Sequence, residues 1–468
     1  MSDDDYHPFI PNPPNAKIAG PTARAHAETR TASPRAKELF AKWEGMFNEP
    51  FCGITTGGAA IPGLFASQPE GAPTLAMIEA VNALLAIMSP EQKKSSCFPA
   101  GSNMWRHWQN TELYVEHYGL RLDEISAPLR DAILAVLRAS MSPHGYELSR
   151  DVMKLNGFLG DIVHGPAVMG EWSYIFCLFG EPSASEPWGW QFFGHHLVLN
   201  CFVLGNQMVA TPAFWGAEPS YADHGPFKGI RLFQDEERAG LKLMRAFSPE
   251  QQKRAIVAHS MMGGDLQEGR RHFADNLHLG GAFQDNRVVP YEGLKGDALT
   301  ATQRRDLMDL IGKYLAVLPE GPRQARIAEV ERHLPDTHFC WIGGFREDSP
   351  FYYRVQSLVT FIEFDHHAGV FFTNPEPAKV HVHTIVRTPN GNDYGFDLLR
   401  QHYKTSPHHR HQHEQQQQKA QHHGQHHHHH GDHGDHGDHG HSHTHGEHPH
   451  SHPHDGDHRH DEKDGGKR

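Results

Sequence analysis

The sequence predicts an α+β fold: an antiparallel sheet built from two strand clusters, packed with helices, and followed by a disordered His-rich C-terminal tail. Three observations carry this. Helical periodicity dominates the first part of the chain, up to about Tyr174. Aromatic and β-branched runs then appear in two hairpin-like groups separated by further helical stretches, the arrangement of an α+β protein with antiparallel pairing. Beyond Lys404 the composition collapses to Gln, His, Gly, Asp and Pro, which cannot bury enough apolar surface to offset the entropy of ordering. A doubly wound α/β fold is disfavoured, because no GxGxxG or GxxxxGK[ST] follows a strand.

Taken in order, the chain divides into three. Residues 1–31 open with "MSDDDYHPFIPNPPN", three acids and then four prolines without hydrophobic periodicity, and are expected to form a disordered arm. Residues 32–403 are expected to fold as a single domain. Its first helix begins at "SPRAKELFAKWEGMF", with Ser33 as N-cap and Pro34 in the first turn. "APTLAMIEAVNALLAIM" follows, with an apolar stripe at Leu75, Ile78, Val81, Leu84 and Leu85. "SPEQ" occurs at 89–92 and again at 248–251, each a capping-box pattern. The flanks also align ("LLAIMSPEQKK" beside "LMRAFSPEQQK"), which duplication of a unit and convergence on a good cap both explain.

Strands are expected in "WSYIFCLFGEP" and "WGWQFFGHHLVLNCFVLGNQMVATPAFW", with "LGNQ" as a turn between two of them. Helices return at 235–260 and from Thr300 to about Leu334. A second strand group, "HFCWIGGF", "PFYYRVQSLVTFIEFD" and "KVHVHTIVRT", closes the domain before "PNG" turns the chain into a last short helix ending at Tyr403. Residues 404–468 form the tail.

Charge and cysteine content narrow the function classes. The formal net charge is −13, and most of it lies on the body rather than the tail. An acidic body lacks the basic face that nucleic-acid binding requires. Five cysteines, widely spaced and without a CxxC, read as reduced thiols rather than a disulfide or zinc-thiolate framework. No apolar run is long enough to cross a membrane, and "MSDDD" is unlike a signal peptide, so a cytoplasmic protein is expected.

Several motifs together, "EPWGWQFFGHHLVLNCFVLGNQMVATPAFWGAEP", "GAFQDNRVVPYEGL", "PFYYRVQ" with "IEFD", and "HVHTIVRTPNGNDYGFDLLRQHY", resemble a bacterial domain-of-unknown-function family, number 3500. The resemblance runs from about Leu39 to Tyr403. It implies that this stretch is one unit and the tail an addition, and it brings no activity with it.

The chemistry must come from the side chains. In a strand, residues i and i+2 project from one face, roughly 7 Å apart. His381 and His383 therefore point together, with Val380 and Val382 on the opposite face. Glu363 and Asp365 share a face by the same rule, His366 and His367 follow them, and His195 and His196 are expected on opposite sides of a third strand. Neutral imidazoles with one carboxylate suit a divalent ion (Zn, Ni, Fe or Mn) with a position left for water or substrate. His196, Asp365, His381 and His383 are the candidate metal ligands. A cupin-like site is not expected, because Arg387 and Thr388 stand where that pattern wants a glutamate. Without a metal, His196 or His383 would serve as general base oriented by Asp365. Arg354, Arg387 and Glu363 are the candidate catalytic residues, the arginines holding an anionic or carbonyl group of a small-molecule substrate. The bland reading of each is a hydrogen-bonded or salt-bridged strand residue.

The tail holds 23 of the 42 histidines, a composition expected to bind metal ions in vitro. Two function classes follow: a metal-dependent, hydrolase-like enzyme, or a non-enzymatic metal-handling protein that stores, buffers or delivers zinc or nickel.

Overall fold

The computed structural model describes residues 5–406, which fall within one compact unit. Of the tail expected at 404–468, Lys404 and Thr405 belong to the last helix, and residues 407 onward, whose histidines are expected to bind metal, lie outside the described residues. Among the described residues there are eleven α-helices and thirteen strands in a single, mostly antiparallel sheet. No described helix is long and apolar enough to cross a membrane.

The arm expected to be disordered is in fact built onto the body. Tyr6 is fully buried, stacks on Phe372 at 5.7 Å and donates to Asp223 Oδ1. Lys17 donates to the Val370 and Phe372 carbonyls, and Thr22 caps helix α1 (Ala23–Thr31). Local composition could not reveal this, because what orders the arm is contact with residues distant in sequence, such as Asp223 with Tyr6 and Glu116 with Arg24. Helix α2 (Pro34–Phe47) begins as expected, with the Ser33 side chain accepting from the Ala36 N–H.

The remaining chain states one series of elements twice. The first series is α3 (Thr74–Ile87), α4 (Pro90–Ser96), β1 (Cys97–Phe98), β2 (Leu120–Arg121), α5 (Ala127–Ser140), α6 (Pro143–Ile162), β3 (Tyr174–Phe179), β4 (Trp188–Gly194), β5 (Leu197–Leu204), the short β6 (Gln207–Val209) and β7 (Ala213–Ala217). The second is α7 (Gln234–Ala246), α8 (Pro249–Ala255), β8 (Ile256–Ala258), β9 (Leu294–Lys295), α9 (Ala301–Leu315), α10 (Glu320–Arg332), β10 (His338–Gly343), β11 (Phe351–Gln356), β12 (Phe361–His367) and β13 (Ala378–Arg387), before α11 (Phe396–Thr405). Both "SPEQ" segments form full capping boxes, at Ser89 and Ser248, and each helix they start runs straight into an edge strand. β1 pairs parallel with β3, and β8 pairs parallel with β10. "GLRLDEIS" (119–126) and "GLKGDALT" (293–300) lead into α5 and α9 in the two series. The recurrence is thus of a whole unit and not of a cap alone.

The two strand clusters do not form separate sheets. β7 and β13 pair antiparallel and join them, giving the order β1-β3-β4-β5-β7-β13-β12-β11-β10-β8. Helices cover one face. Met77, Val81 and Leu84 of α3 pack there with α5, α6, α7 and α9 against Trp190, Trp215, Val382 and Phe364. The stripe of α3 is rotated from the expected one, and Leu75 is 76% exposed. Connections cover the other face instead, chiefly 99–119 in the first series and 259–293 in the second. Trp105 and Trp108 of the first connection pack on Ile175, Phe193 and Phe202.

Candidate metal centre

Alternation along β13 sends Val380 and Val382 to the helical face and His381 and His383 to the face covered by connections. A third imidazole meets them from the other series. The sequence places His195 and His196 on a strand, but they are the two central residues of the β4–β5 hairpin, between the paired Gly194 and Leu197. His196 takes φ +63, the left-handed region that His tolerates better than bulky or β-branched residues. Its carbonyl accepts from the Gly216 N–H at 2.8 Å, which anchors the turn against β7.

The Nε2 atoms of His196, His381 and His383 form a triangle with edges of 3.2, 3.1 and 3.0 Å. Three nitrogens that bind one ion at about 2.0–2.1 Å lie about 2.9–3.4 Å from one another. The tautomer of one corner follows from its partner. His381 Nδ1 lies 2.8 Å from the Ala368 carbonyl oxygen, which can only accept, so the neutral ring carries its proton on Nδ1 and a lone pair on Nε2. All three rings are buried, and burial, reinforced by the neighbouring imidazoles, pushes their pKa values well below the usual histidine range. Uncharged nitrogens with converging lone pairs are what a metal site presents. His195 turns away and meets Asn156 Oδ1 at 2.8 Å, so of the adjacent pair it is His196 that joins the cluster.

Asp365 is directly opposite His383 across the β12–β13 ladder. It does not complete the triangle. Asp365, His367 and His383 offer donor atoms within 4.8 Å of one another as a neighbouring group, while His196, His381 and His383 form the other. His367 Nδ1 donates to Asp365 Oδ2 at 3.2 Å, and His278 Nε2 lies 3.2 Å from Oδ1. Burial opposes the Asp365 charge, but these two imidazoles hold its pKa well below the ordinary range. For His278, burial alone would lower the pKa; the carboxylate reverses that and holds it up to about 9.

His278 and Asn276, which contacts His367 Nε2, come from the 259–293 connection and were not foreseen. Glu218 was missed as well. Just after β7, its carboxylate accepts from the N–H groups of Val370, Phe371 and Phe372 at 2.9–3.0 Å and so shapes the chain beside His381. No local pattern marks "NLHLGG" or "GAEP" as part of a site.

The candidate catalytic residues hold the covering connection down. Glu363 accepts from the Leu279 and Gly280 N–H groups and from the Tyr352 hydroxyl at 2.6 Å. Arg387 donates to the Gly280 and Gly281 carbonyls and pairs with Asp285 and Asp393 at 2.6 and 3.2 Å. Arg354 donates to Glu292 at 2.8 Å. A cavity of about 170 Å³ is lined by Trp215, Val386, Gln207 and Arg326, among others, and by none of the three histidines.

A family model described as a protein of unknown function (DUF3500) matches residues 70–396. The chain belongs to this family. No curated protein and no solved structure matches it. The match spans both series of the DUF3500 chain, including His196, Asp365, His381 and His383, and it ends before the histidine-rich tail.

Proposed function

We propose that this DUF3500 protein is a divalent-metal-dependent enzyme of the hydrolase type acting on a small molecule, with His196, His381 and His383 as the ligands of its ion. The observation that carries the proposal is the triangle of buried Nε2 atoms at 3.0–3.2 Å, one of them held in the ligating tautomer by the Ala368 carbonyl. Three nitrogen ligands leave at least one coordination position open, as catalytic rather than structural sites do, and an ion so held polarises a carbonyl or activates water. An all-imidazole set favours zinc, nickel or iron over magnesium or calcium. Arg354, Arg387 and Glu363 act as positioning residues for the covering connection. The five unpaired cysteines support a cytoplasmic setting.

The test is elemental analysis of a chain ending at Ser406, purified without an affinity tag or chelator. About one tightly held equivalent is expected, lost in His381→Ala and in His383→Ala, together with chelator-sensitive turnover in a panel of esters, amides and phosphoesters. A tail-less wild-type protein that neither carries nor takes up metal would overturn the proposal.

The 23 histidines of the tail favour a second reading, in which the protein stores or delivers zinc or nickel. That reading predicts several weakly held equivalents lost on truncation at Ser406, and no turnover.

A further inference from the structure

Beside the triangle are three buried polar atoms that make no hydrogen bond with any described residue: Asp365 Oδ1 and both ring nitrogens of His278. Asp365 is fully buried and His278 is 2% exposed. Leaving such groups without partners costs about 1–3 kcal/mol each, more for charged ones, so a fold retains them where something else satisfies them. Asp365 Oδ1 and His278 Nε2 are 3.2 Å apart, within ion-pair range but outside hydrogen-bond geometry. Without an ion the two groups form a buried imidazolium–carboxylate pair; a cation at this point would displace the His278 proton to solvent, and two ligands of one ion are likewise about 3 Å apart with lone pairs aimed at a common point.

The surroundings supply the orienting contacts such a site needs. His367 donates from Nδ1 to the other carboxylate oxygen, Oδ2, and its Nε2 is engaged by Asn276, so His367 fixes the carboxylate without competing for Oδ1. The backbone holding His278 is itself pinned, since the next two N–H groups, of Leu279 and Gly280, both donate to Glu363. The position is also continuous with the triangle. Asp365 faces His383 in register, and the donor atoms of Asp365, His367 and His383 lie within 4.8 Å of one another.

We propose that Asp365 and His278 hold a second divalent cation next to the one assigned to His196, His381 and His383, making the centre dinuclear. This rests on the metal-site reading above and extends it. The two sites differ in kind. The first has three imidazole nitrogens; the second has one carboxylate oxygen and one imidazole, with water or substrate oxygens completing it. The second ion therefore binds more weakly and exchanges more readily. Paired ions about 3.5–4 Å apart are suited to substrates whose hydrolysis needs both an activated water and a stabilised leaving oxygen, such as phosphoesters.

The test uses Co²⁺ as the probe, titrated into the full-length chain and into the chain ending at Ser406, since the described residues form one compact unit. The tail-less wild type is expected to bind two equivalents, the second at least tenfold more weakly, with an exchange-coupled electron paramagnetic resonance signal when both are bound. Asp365→Asn and His278→Gln should each remove only the weaker equivalent and abolish the coupling. His381→Ala should remove the tight one. In the full-length chain the difference between wild type and variant isolates the same equivalent from tail binding. One equivalent without coupling at saturating Co²⁺, or a second equivalent that survives both Asp365→Asn and His278→Gln, overturns the dinuclear proposal and leaves the triangle standing. Zero equivalents in the tail-less wild type overturns the metal-site reading itself. If one variant fails to fold by circular dichroism, the other variant and the wild-type coupling signal still decide the matter.

Discussion

Gly216 of β7 is paired in register with His383 of β13, and a methyl group at Gly216 would sit 3.1 Å from both the His383 and His196 rings and 2.8 Å from the Val382 carbonyl oxygen. The two imidazoles approach each other over a position that has no side chain. Gly216→Ala should therefore displace one or both rings, lowering metal affinity at least tenfold and stability by about 1–3 kcal/mol. Isothermal titration of the tail-less variant alongside its denaturation curve checks this; unchanged affinity would mean that the rings are not packed against β7.

Glu218 serves three consecutive amides. Glu218→Ala leaves those N–H groups buried and unpaired, and should destabilise the protein by about 3 kcal/mol or more. Glu218→Gln keeps one acceptor oxygen and should recover part of the loss, as read by urea unfolding.

Glu363 is the main clamp on the turn that carries His278. Glu363→Ala is expected to speed amide exchange at 276–281 while leaving the helices of the opposite face protected. Hydrogen exchange with mass spectrometry reads both regions at once, and uniform protection would refute the clamp.

Arg387 makes fork-like contacts with two carbonyls and two carboxylates, all buried. Lysine cannot reproduce that geometry. Arg387→Lys should lower stability by about 2–4 kcal/mol whether or not metal is present, because it leaves buried acceptors and charge without partners. If stability is untouched and only turnover falls, Arg387 acts on substrate instead.

Metal removal should be visible as lost stability. An ion that binds only the folded chain adds about 4 kcal/mol when free ion exceeds Kd a thousandfold. Chelation of the tail-less protein should remove that increment, and His383→Ala should be insensitive to chelator.

The sequence by itself determined the features written in short-range patterns. Ser89, Ser248 and Ser33 cap helices because the capping residue and its partner lie within three positions. The i, i+2 rule placed His381 with His383 and Glu363 with Asp365 on the same faces before any pairing was known. Tertiary structure alone decided the rest. "GHHL" reads as strand in the sequence, and only the register of β4 with β5 makes it a hairpin whose second residue reaches β13. Tyr6 looks like part of a solvated arm until Phe372 and Asp223 are brought beside it. His278 sits in a long connection without periodicity, and it enters the site because Glu363 and Arg387 tie that connection to the sheet. Periodicity encodes which way a side chain points along its own element. Which other elements it meets depends on contacts between residues far apart in the chain, and no local pattern records those.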